Sequence, residues 1–573
     1  MDNKNINKKN NFNKNKKIEN NDKKDNVIKI FSLGGLNENG KNMYVIEVND
    51  DILVFDAGLK YADDTLYGID YILPNFDYIK DNIDRVKGIF LTHGHNENMG
   101  AIPDIISSIP SIKVYGTKFT LEVLKKELEI DKISSDNLIL IEAHKNIKFN
   151  DYSVFPVSVT HSIPDSVGYV VSTRDGAIVY TGDYLFDSTA KSYYTTDIGK
   201  LAYVGKQGVL CLLSESMYAE KDGFTAPDHR TSSKIKEVFY KNEGRIIYNV
   251  FAAHIYVIQE IFDEISKTDR KIVVMGKTLQ NIVMNSIELG YLNISKDKIG
   301  DLSNVNDNNI VILVSNEREK LFSNIERMLN GYDKFIKIKD TDTIVFAEPI
   351  TESTEKGAST ISDMIARRGA EVITYNKKDL LLHHASKEDI MLMINLCRPK
   401  YFMPVKGEYK DMDKAKDCAL NVGIKKENII LNLNGDVTTF VNGNLVSNGE
   451  KIKTDDILVD GNTITDIGEA VLKDREILAN SGIVIIACTI DKTKKTIIET
   501  EIVTRGFVYV RESGELLKSI KDKCNETIIK YANGKNKYIE YNKIKMELRE
   551  KLGIYLYKQT ECKPMIIAVF QEV

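Results

Sequence analysis

The sequence has no tryptophan and only six cysteines among its 573 residues. No two cysteines form a CxxC pair, and most of them lie inside apolar runs, as Cys211 and Cys488 do. This pattern predicts small buried hydrophobic side chains in a reducing compartment, because disulfide frameworks belong to cysteine-dense secreted proteins.

Long hydrophobic runs are missing as well. No apolar run approaches the ~18 residues that a helix needs to cross a bilayer. The first 26 residues are almost all Asn, Lys, Asp and Glu, so the N-terminus has no apolar segment of the kind that a signal peptide carries. We therefore expect a cytoplasmic protein with no membrane partner.

An excess of one charge is also absent. The 78 basic and 83 acidic residues leave a formal net charge of −5, so the molecule as a whole does not attract nucleic acid. Any nucleic-acid binding must then come from a local channel or patch. Neither the phosphate loop GxxxxGKS/T nor a GxGxxG after a strand occurs, which argues against a nucleotide cofactor.

Short apolar runs of strand length begin at Val27, and helical stretches such as 98–108 and 118–128 alternate with them. This alternation predicts α/β layering. Near the C-terminus, apolar spacing predicts two helices that precede a buried strand in PMIIAVF. The apolar positions of these two helices are Leu517, Ile520, Cys524, Ile528 and Tyr531, then Ile544, Leu548, Leu552 and Tyr555.

Histidine is scarce, with only eight residues, yet three of them stand where strand-like runs end. His93 and His95 form a His-x-His pair in LTHGHNEN, and His161 follows a run in VTHSIPDS. Asp183 ends another run in VYTGDYLFD. Three imidazoles and a carboxylate can converge on one Zn²⁺, which takes N and O ligands at ~2.0–2.2 Å. A His-x-His pair alone is weak evidence, but the ordered set predicts a metal site.

These motifs resemble those of the RNase J family of metallo-β-lactamase/β-CASP ribonucleases. LTHGHNENMGAIP is similar to the HxHxDH signature in its RNase J form, and VTHSIPDSVG and YTGDYLFD are similar to the next two motifs. FDAGL places the family's first-motif aspartate at Asp56. The resemblance covers nearly the whole chain after residue 26, through GGLNENGKNMYVIE, YGIDYILP, RPKYFMPVKGEYKDM, DIGEAVLKDRE, RGFVYVRES and KPMIIAVFQEV.

The resemblance implies a specific α/β fold. An αββα metallo-β-lactamase sandwich is interrupted by a β-CASP α/β domain and followed by a small C-terminal α/β domain of dimerisation type. Length alone suggests roughly three or four domains. The expected division is a disordered Asn/Lys-rich tail at 1–26, metallo-β-lactamase segments at 27–214 and 379–445, a β-CASP domain at 215–378, a linker at 446–464 and the C-terminal domain at 465–573.

The resemblance also implies an activity. RNase J proteins hydrolyse RNA from the 5′ end and internally, with two zinc ions that activate water and polarise the phosphoryl group. His384 in LLLHHASKED matches the family's general-acid histidine, and Glu215 in LLSESMYAE matches its acidic motif. The ligands that match the family's first metal are all present: His93, His95, His161 and the bridging Asp183.

The ligand set for the second metal is incomplete. The aspartate and histidine that end HxHxDH are Glu97 and Asn98 here, and the histidine of PVHGEY is Lys406. Glu97 can still ligate, whereas Asn98 offers only a neutral amide oxygen and a protonated lysine repels a cation. We therefore expect one zinc ion rather than two. We hypothesise that the Lys406 ammonium pairs with Asp183 or Glu97 in place of the lost cation, the alternative being a solvated loop lysine.

The segment that holds the RNA 5′ phosphate in the family is altered too. Its HxSGHxS pattern corresponds to residues 380–386 here, where Leu382 replaces a serine and His383 replaces a glycine. His384 and Ser386 are kept, so these four positions are the expected phosphate contacts. The replacements remove one donor and add bulk where backbone should approach the phosphate.

A calcium ion is a further expectation from the resemblance. Some relatives bind structural calcium near the segments that match Gly68, Asp70 and Asp460. Hard oxygen ligands make such a site possible, and ordinary loop carboxylates are the alternative.

Three functions remain open. The first is a weakly active or inactive RNase J-like subunit of RNA processing and decay, assembled as a dimer or tetramer with an active RNase J or with itself. This matches the degenerate second copy that some bacteria carry. The second is an active zinc-dependent ribonuclease that uses the remaining metal site. The third, a hydrolase of small molecules, fits least because the β-CASP and C-terminal segments accompany RNA enzymes.

Overall fold

The computed structural model describes residues 25–573 except 63–65, 191, 253, 316–321, 348–354, 376–382, 447–448, 461–462, 465–468, 508–513 and 533–538. Almost all of the tail predicted at 1–26 lies outside the described residues, and so does Leu382. Within the described ranges, no helix is long and apolar enough to span a membrane.

Strands and helices alternate along the chain. The first part contains β1 (Val27–Gly34), β2 (Met43–Val48), β3 (Asp51–Phe55), β4 (Lys60–Tyr61), β5 (Tyr71–Leu73), α1 (Asp77–Asp81), β6 (Val86–Phe90), α2 (Asn96–Met99), α3 (Ile102–Ser108), β7 (Val114–Gly116), α4 (Lys118–Ile130), β8 (Leu138–Leu140), β9 (Ile147–Lys148), β10 (Ser153–Ser158), β11 (Val167–Thr173), β12 (Gly176–Tyr180), α5 (Ile198–Gln207) and β13 (Val209–Glu215). The middle part contains α6 (Ser232–Lys241), β14 (Ile246–Asn249), α7 (Ile255–Ile265), β15 (Lys271–Met275), α8 (Lys277–Glu288), β16 (Ile310–Val314), α9 (Ser323–Leu329), β17 (Thr343–Phe346), α10 (Glu355–Arg367) and β18 (Glu371–Thr374).

The chain then returns to the first part and ends in a separate unit. The returning segment contains α11 (Lys387–Cys397), β19 (Pro399–Val405), α12 (Tyr409–Asn421), β20 (Thr438–Val441), β21 (Asn444–Val446), β22 (Ile457–Asp460) and β23 (Thr463–Ile464). The last unit contains α13 (Glu469–Ser481), β24 (Ile483–Asp491), β25 (Thr496–Arg505), α14 (Gly514–Ala532), α15 (Tyr541–Thr560) and β26 (Met565–Glu572).

Two sheets form the sandwich. One has the strand order β21-β20-β1-β2-β3-β6-β7-β8 and the other β19-β13-β12-β11-β10-β9. Their inner faces bury one shared core that includes Tyr44, Phe55, Tyr169 and Leu213. Helices α3 and α4 cover the outer face of the first sheet, and α5, α11 and α12 cover that of the second. The predicted αββα order is therefore confirmed.

The β-CASP unit is a parallel sheet that interrupts the sandwich between β13 and α11. Its strand order is β15-β16-β14-β17-β18, with every pair parallel. Alternate residues of β14 enter two different cores, Ile246 and Tyr248 on the α6–α8 side and Ile247 on the α9–α10 side. Parallel sheets need this cover on both faces. After the insertion, β19 pairs with β13 in parallel register.

The C-terminal unit is a three-stranded sheet with the order β25-β24-β26 and two helices on one face. The predicted helical spacing is confirmed, since Ile520, Cys524 and Ile528 of α14 and Leu548 of α15 are buried against the sheet. The prediction of a buried closing strand is wrong in part. Ile566 and Ala568 are buried, whereas Met565 and Ile567 are half-buried and Val569 is exposed, because α14 and α15 cover only one face.

The segment predicted as a linker at 446–464 contains two strands. β22 pairs with β5 of the metallo-β-lactamase part, in a four-stranded sheet ordered β23-β22-β5-β4. The chain therefore stays hydrogen-bonded to the sandwich until just before α13.

Candidate metal centre

Four potential metal ligands meet where strands of the sandwich end. His93 and His95 follow β6, His161 follows β10 and Asp183 follows β12. His95 Nδ1 lies 3.1 Å from His93 Nε2 and 3.2 Å from His161 Nε2. Asp183 Oδ2 lies 3.4 Å from His93 Nε2 and 3.8 Å from His161 Nε2. Ligands at ~2.0–2.1 Å around a tetrahedral zinc ion stand about 3.4 Å apart, so these donors fit one ion.

The three imidazoles are neutral and correctly oriented for a metal. Burial lowers the pKa of His93 and His161 well below the ordinary value and lowers the pKa of His95 as well. His161 donates Nδ1–H to the backbone oxygen of His383 at 2.6 Å, which turns its Nε2 toward the centre. Lone pairs are therefore available on the atoms that converge.

Asp56 supports the centre from behind. Thr92 Oγ1 donates to Asp56 at 2.9 Å and faces His93 Nδ1 at 2.9 Å, so the carboxylate orients His93 through the hydroxyl. Tyr180 OH also donates to Asp56 at 2.7 Å. Burial raises the pKa of Asp56 to about 7, although these hydrogen bonds oppose the rise. Sequence reasoning singled out Asp56 but missed Thr92 and Tyr180, which stand inside the quoted motifs.

His384 is held beside the metal ligands by an acidic partner. Its Nδ1 lies 2.7 Å from Glu215 Oε2 and 3.9 Å from Asp183 Oδ2. Glu215 Oε1 accepts hydrogen bonds from the backbone of Tyr184 at 2.6 Å and Ala385 at 3.2 Å. A buried, oriented imidazole of this kind can deliver a proton to a leaving group.

Comparisons with known proteins agree with this geometry. Family models match at 53–200 (Beta-lactamase superfamily domain), 243–364 (Ribonuclease J, beta-CASP domain), 381–430 (Zn-dependent metallo-hydrolase RNA specificity domain) and 470–573 (Ribonuclease J C-terminal domain). Ribonuclease J2 of Bacillus subtilis (strain 168) is 38% identical over 551 residues, which are 95% of this chain and 99% of that protein. The chain belongs to the ribonuclease J family.

Other comparisons are consistent with that membership. Ribonuclease J 2 of Staphylococcus aureus (strain NCTC 8325 / PS 47) is 34% identical over 556 residues, 96% of this chain and 99% of that protein. A solved protein of unknown function from Enterococcus faecalis V583 shares the fold, with a TM-score of 0.52, 15% identity, and coverage of 72% of this chain and all of that one. The matched family segments lie inside the predicted domains, and they support RNA binding and a metal cofactor.

A lysine side chain occupies the position where the family resemblance implies a second metal ion. Lys406, which is 4% exposed, places its Nζ against Asp183 Oδ2, the oxygen that faces the histidines. Burial lowers the pKa of Lys406, but the carboxylates of Asp183, Glu97 and Glu215 outweigh this and raise the pKa overall. The same contact helps to hold the pKa of Asp183 below its usual range despite burial. The hypothesised pairing with Asp183 is therefore present.

Asn98 and Glu97 do not restore the missing ligands. The Asn98 amide donates to Asp56 Oδ2 at 2.8 Å and its oxygen faces Asn42 Nδ2 at 3.4 Å, so the side chain joins the support behind the centre. Glu97 Oε1 lies 4.0 Å from His95 Nδ1, and its side chain is 39% exposed. Neither side chain therefore supplies a second set of ligands, although Asp183, Glu215 and His384 form another group of possible ligands that shares the Asp183 carboxylate.

The segment expected to hold a 5′ phosphate is packed inward. The ring of His383 is buried against His229 and Tyr256, at centroid distances of 4.8 Å and 5.0 Å. Ser386, also expected to contact phosphate, is fully buried, caps α11 and bonds Thr225 Oγ1 at 2.6 Å. Of the expected contacts within the described residues, His384 places its ring 3.9 Å from Asp183 Oδ2, and His383 places its backbone oxygen 2.6 Å from His161 Nδ1.

The residues expected to bind calcium contact an arginine. Arg475 of α13 donates to Asp460 Oδ2 at 2.7 Å and to the backbone oxygen of Gly68 at 3.3 Å. Asp70 lies beside them through its backbone bond to Val459 at 2.9 Å. The Gly68 and Asp460 oxygens therefore already face a positive charge. Arg475 stands inside the DIGEAVLKDRE segment that carries the resemblance, but nothing in that segment predicted this contact.

Proposed function

We propose that this ribonuclease J family member is a cytoplasmic, one-zinc subunit, weakly active or inactive by itself, that assembles with an active ribonuclease J in RNA processing and decay. The observation that carries the proposal is the Lys406 ammonium against Asp183 Oδ2. The six cysteines, five of them buried and none in a disulfide, are consistent with a reducing cytoplasm.

Electrostatics favours one ion over two. Charges of +1 and +2 at ~4 Å and ε ~20 repel by roughly 8 kcal/mol. The surrounding carboxylates raise the pKa of Lys406 and so favour its charged form. A second ion bridged by Asp183 would compete with the ammonium for the same oxygen.

The remaining groups supply one metal position and one candidate general acid. His93, His95, His161 and Asp183 would hold the ion, which would polarise a phosphoryl oxygen and activate water. His384, oriented through the contact of its Nδ1 with Glu215, would serve as the proton donor to the leaving oxygen. Lys406 is already paired and buried, so it neutralises Asp183 instead of a developing phosphoryl charge.

The second candidate is an active ribonuclease, and one observation favours it. The pair formed by His384 and Glu215 is complete, with a 2.7 Å contact beside an intact one-metal donor set. One metal together with a general acid can catalyse hydrolysis, so this candidate needs a direct assay.

The assay supplies 5′-monophosphorylated RNA with Mn²⁺ or Zn²⁺ to the full chain and to His384→Ala. We expect no appreciable release of mononucleotides by either protein, and co-purification of an active ribonuclease J chain from cells. Robust release by the unchanged protein that His384→Ala abolishes would establish the second candidate and contradict the proposal.

A variant in which the family's second ligand set is restored gives a further test of the proposal. The triple variant Glu97→Asp, Asn98→His, Lys406→His rebuilds the family's second ligand set. We expect it to gain one bound metal per chain and RNase activity at least tenfold above the unchanged protein. Lys410→His, an exposed lysine on α12, is the matched control and should gain neither.

A further inference from the structure

The C-terminal unit is joined to the metallo-β-lactamase part by a guanidinium. Arg475 lies in the middle of α13, whereas its partners lie on the other side of the junction. Nη1 donates to the backbone oxygens of Tyr67 at 3.1 Å and Gly68 at 3.3 Å, and Nη2 donates to Asp460 Oδ2 at 2.7 Å. A second bond, from Tyr67 OH to Asn480 Oδ1 at 3.2 Å, ties the same loop to the end of α13.

The loop is shaped to receive this side chain. Gly68 has φ +76, and a Cβ built on it would stand 2.7 Å from Arg475 Nη1. The left-handed backbone at this position favours glycine, and a side chain there would require the guanidinium to shift. Asp460 is brought to the same place by β22, which pairs with β5 so that Val459 faces Tyr71.

Carbonyl and carboxylate oxygens are the ligands that a hard cation such as calcium takes. Here the guanidinium of Arg475 donates hydrogen bonds to two carbonyl oxygens and one carboxylate. Arginine is permanently charged and presents several donors in fixed directions. A calcium ion among the same oxygens would meet that charge at close range, as a second zinc ion would meet Lys406.

We propose that the guanidinium of Arg475 takes the place of a bound calcium ion at this site, so that the C-terminal unit is held on the metallo-β-lactamase part without calcium. The chain thus carries its own positive charge at two positions where the family resemblance implied a divalent ion. The inference is independent of whether the protein hydrolyses RNA.

Hydrogen exchange on the full chain tests the proposal, with Arg475→Gln as the variant and Arg367→Gln as the control. Arg367 forms an exposed ion pair within α10, far from the junction in sequence. We expect exchange at residues 66–71 and 457–460 to quicken about three- to tenfold in Arg475→Gln, since a partly exposed charged hydrogen bond contributes modestly. The control should leave these rates unchanged.

The same hydrogen-exchange experiment, repeated with and without calcium, tests whether the site binds this ion. In the unchanged protein, 5 mM Ca²⁺ or a chelator should leave exchange at both segments the same, and equilibrium dialysis should find no bound calcium. Slower exchange with Ca²⁺, a stoichiometric bound ion, or an Arg475→Gln protein that behaves like the control would each overturn the proposal. Asp460→Asn combined with Arg475→Gln should quicken exchange no further than Arg475→Gln alone.

Discussion

Lys406 and Asn98 alter the metal centre in different ways. Asn98 donates its amide N–H to Asp56, so it adds support behind the centre. Lys406 instead brings a charge to Asp183. The sequence predicted this contact because Asp183 and Lys406 each stand in a segment that matches a motif of the family. It did not predict the burial of the His383 ring, since His229 and Tyr256 reach it from another domain.

Asp56→Asn should weaken metal binding by about ten- to a hundredfold, because the Thr92 hydroxyl then loses the anionic acceptor that orients His93. Competition with a fluorescent chelator measures the affinity. Asp151→Asn, an exposed aspartate in a turn, should leave it unchanged. Equal affinities for the two variants would show that Asp56 does not act through His93.

Helices and strands were predictable wherever one face is apolar. The spacing in 517–531 and 544–555 matched α14 and α15 because both helices pack on a single sheet. The closing strand was harder, since an apolar run does not reveal that only one face is covered. The strands in 457–464 escaped prediction because they are short and pair with a segment far away in sequence.

Leu548→Ala should destabilise the C-terminal unit by about 2–5 kcal/mol, because the fully buried leucine of α15 leaves a cavity against the sheet. Met546→Ala, two residues away and 64% exposed, is the control and should change little. Urea unfolding followed by circular dichroism gives both values. Similar losses for the two variants would contradict the described face of α15.

Arg245→Met should destabilise the β-CASP unit by about 3–5 kcal/mol, because Asp342 would remain buried without its cation. Arg245 is fully buried, and its Nε donates to Asp342 Oδ1 at 3.0 Å. Calorimetry should show a lower transition for this unit, and replacing both residues with hydrophobic ones should restore much of the loss. A transition temperature that does not move would rule out the pair as an anchor.

Across the whole molecule, the alternation of strands and helices predicted α/β layering, and the family resemblance supplied the order of the parts. Neither could show how the C-terminal unit is attached, because the DIGEAVLKDRE segment gives no sign of what Arg475 contacts, and its partners lie about 400 residues earlier or just before α13. The scaffold is kept throughout the described ranges. The departures from the family pattern lie at the residues expected to bind a second metal ion, the RNA 5′ phosphate and calcium.

Anomalous diffraction at the zinc edge tests the central claim most directly. The protein is crystallised with excess Zn²⁺, and the peaks are located within the active site. We predict one peak per chain, surrounded by His93, His95, His161 and Asp183, with Lys406 Nζ still against Asp183. Two peaks bridged by Asp183, with the lysine displaced, would contradict the account.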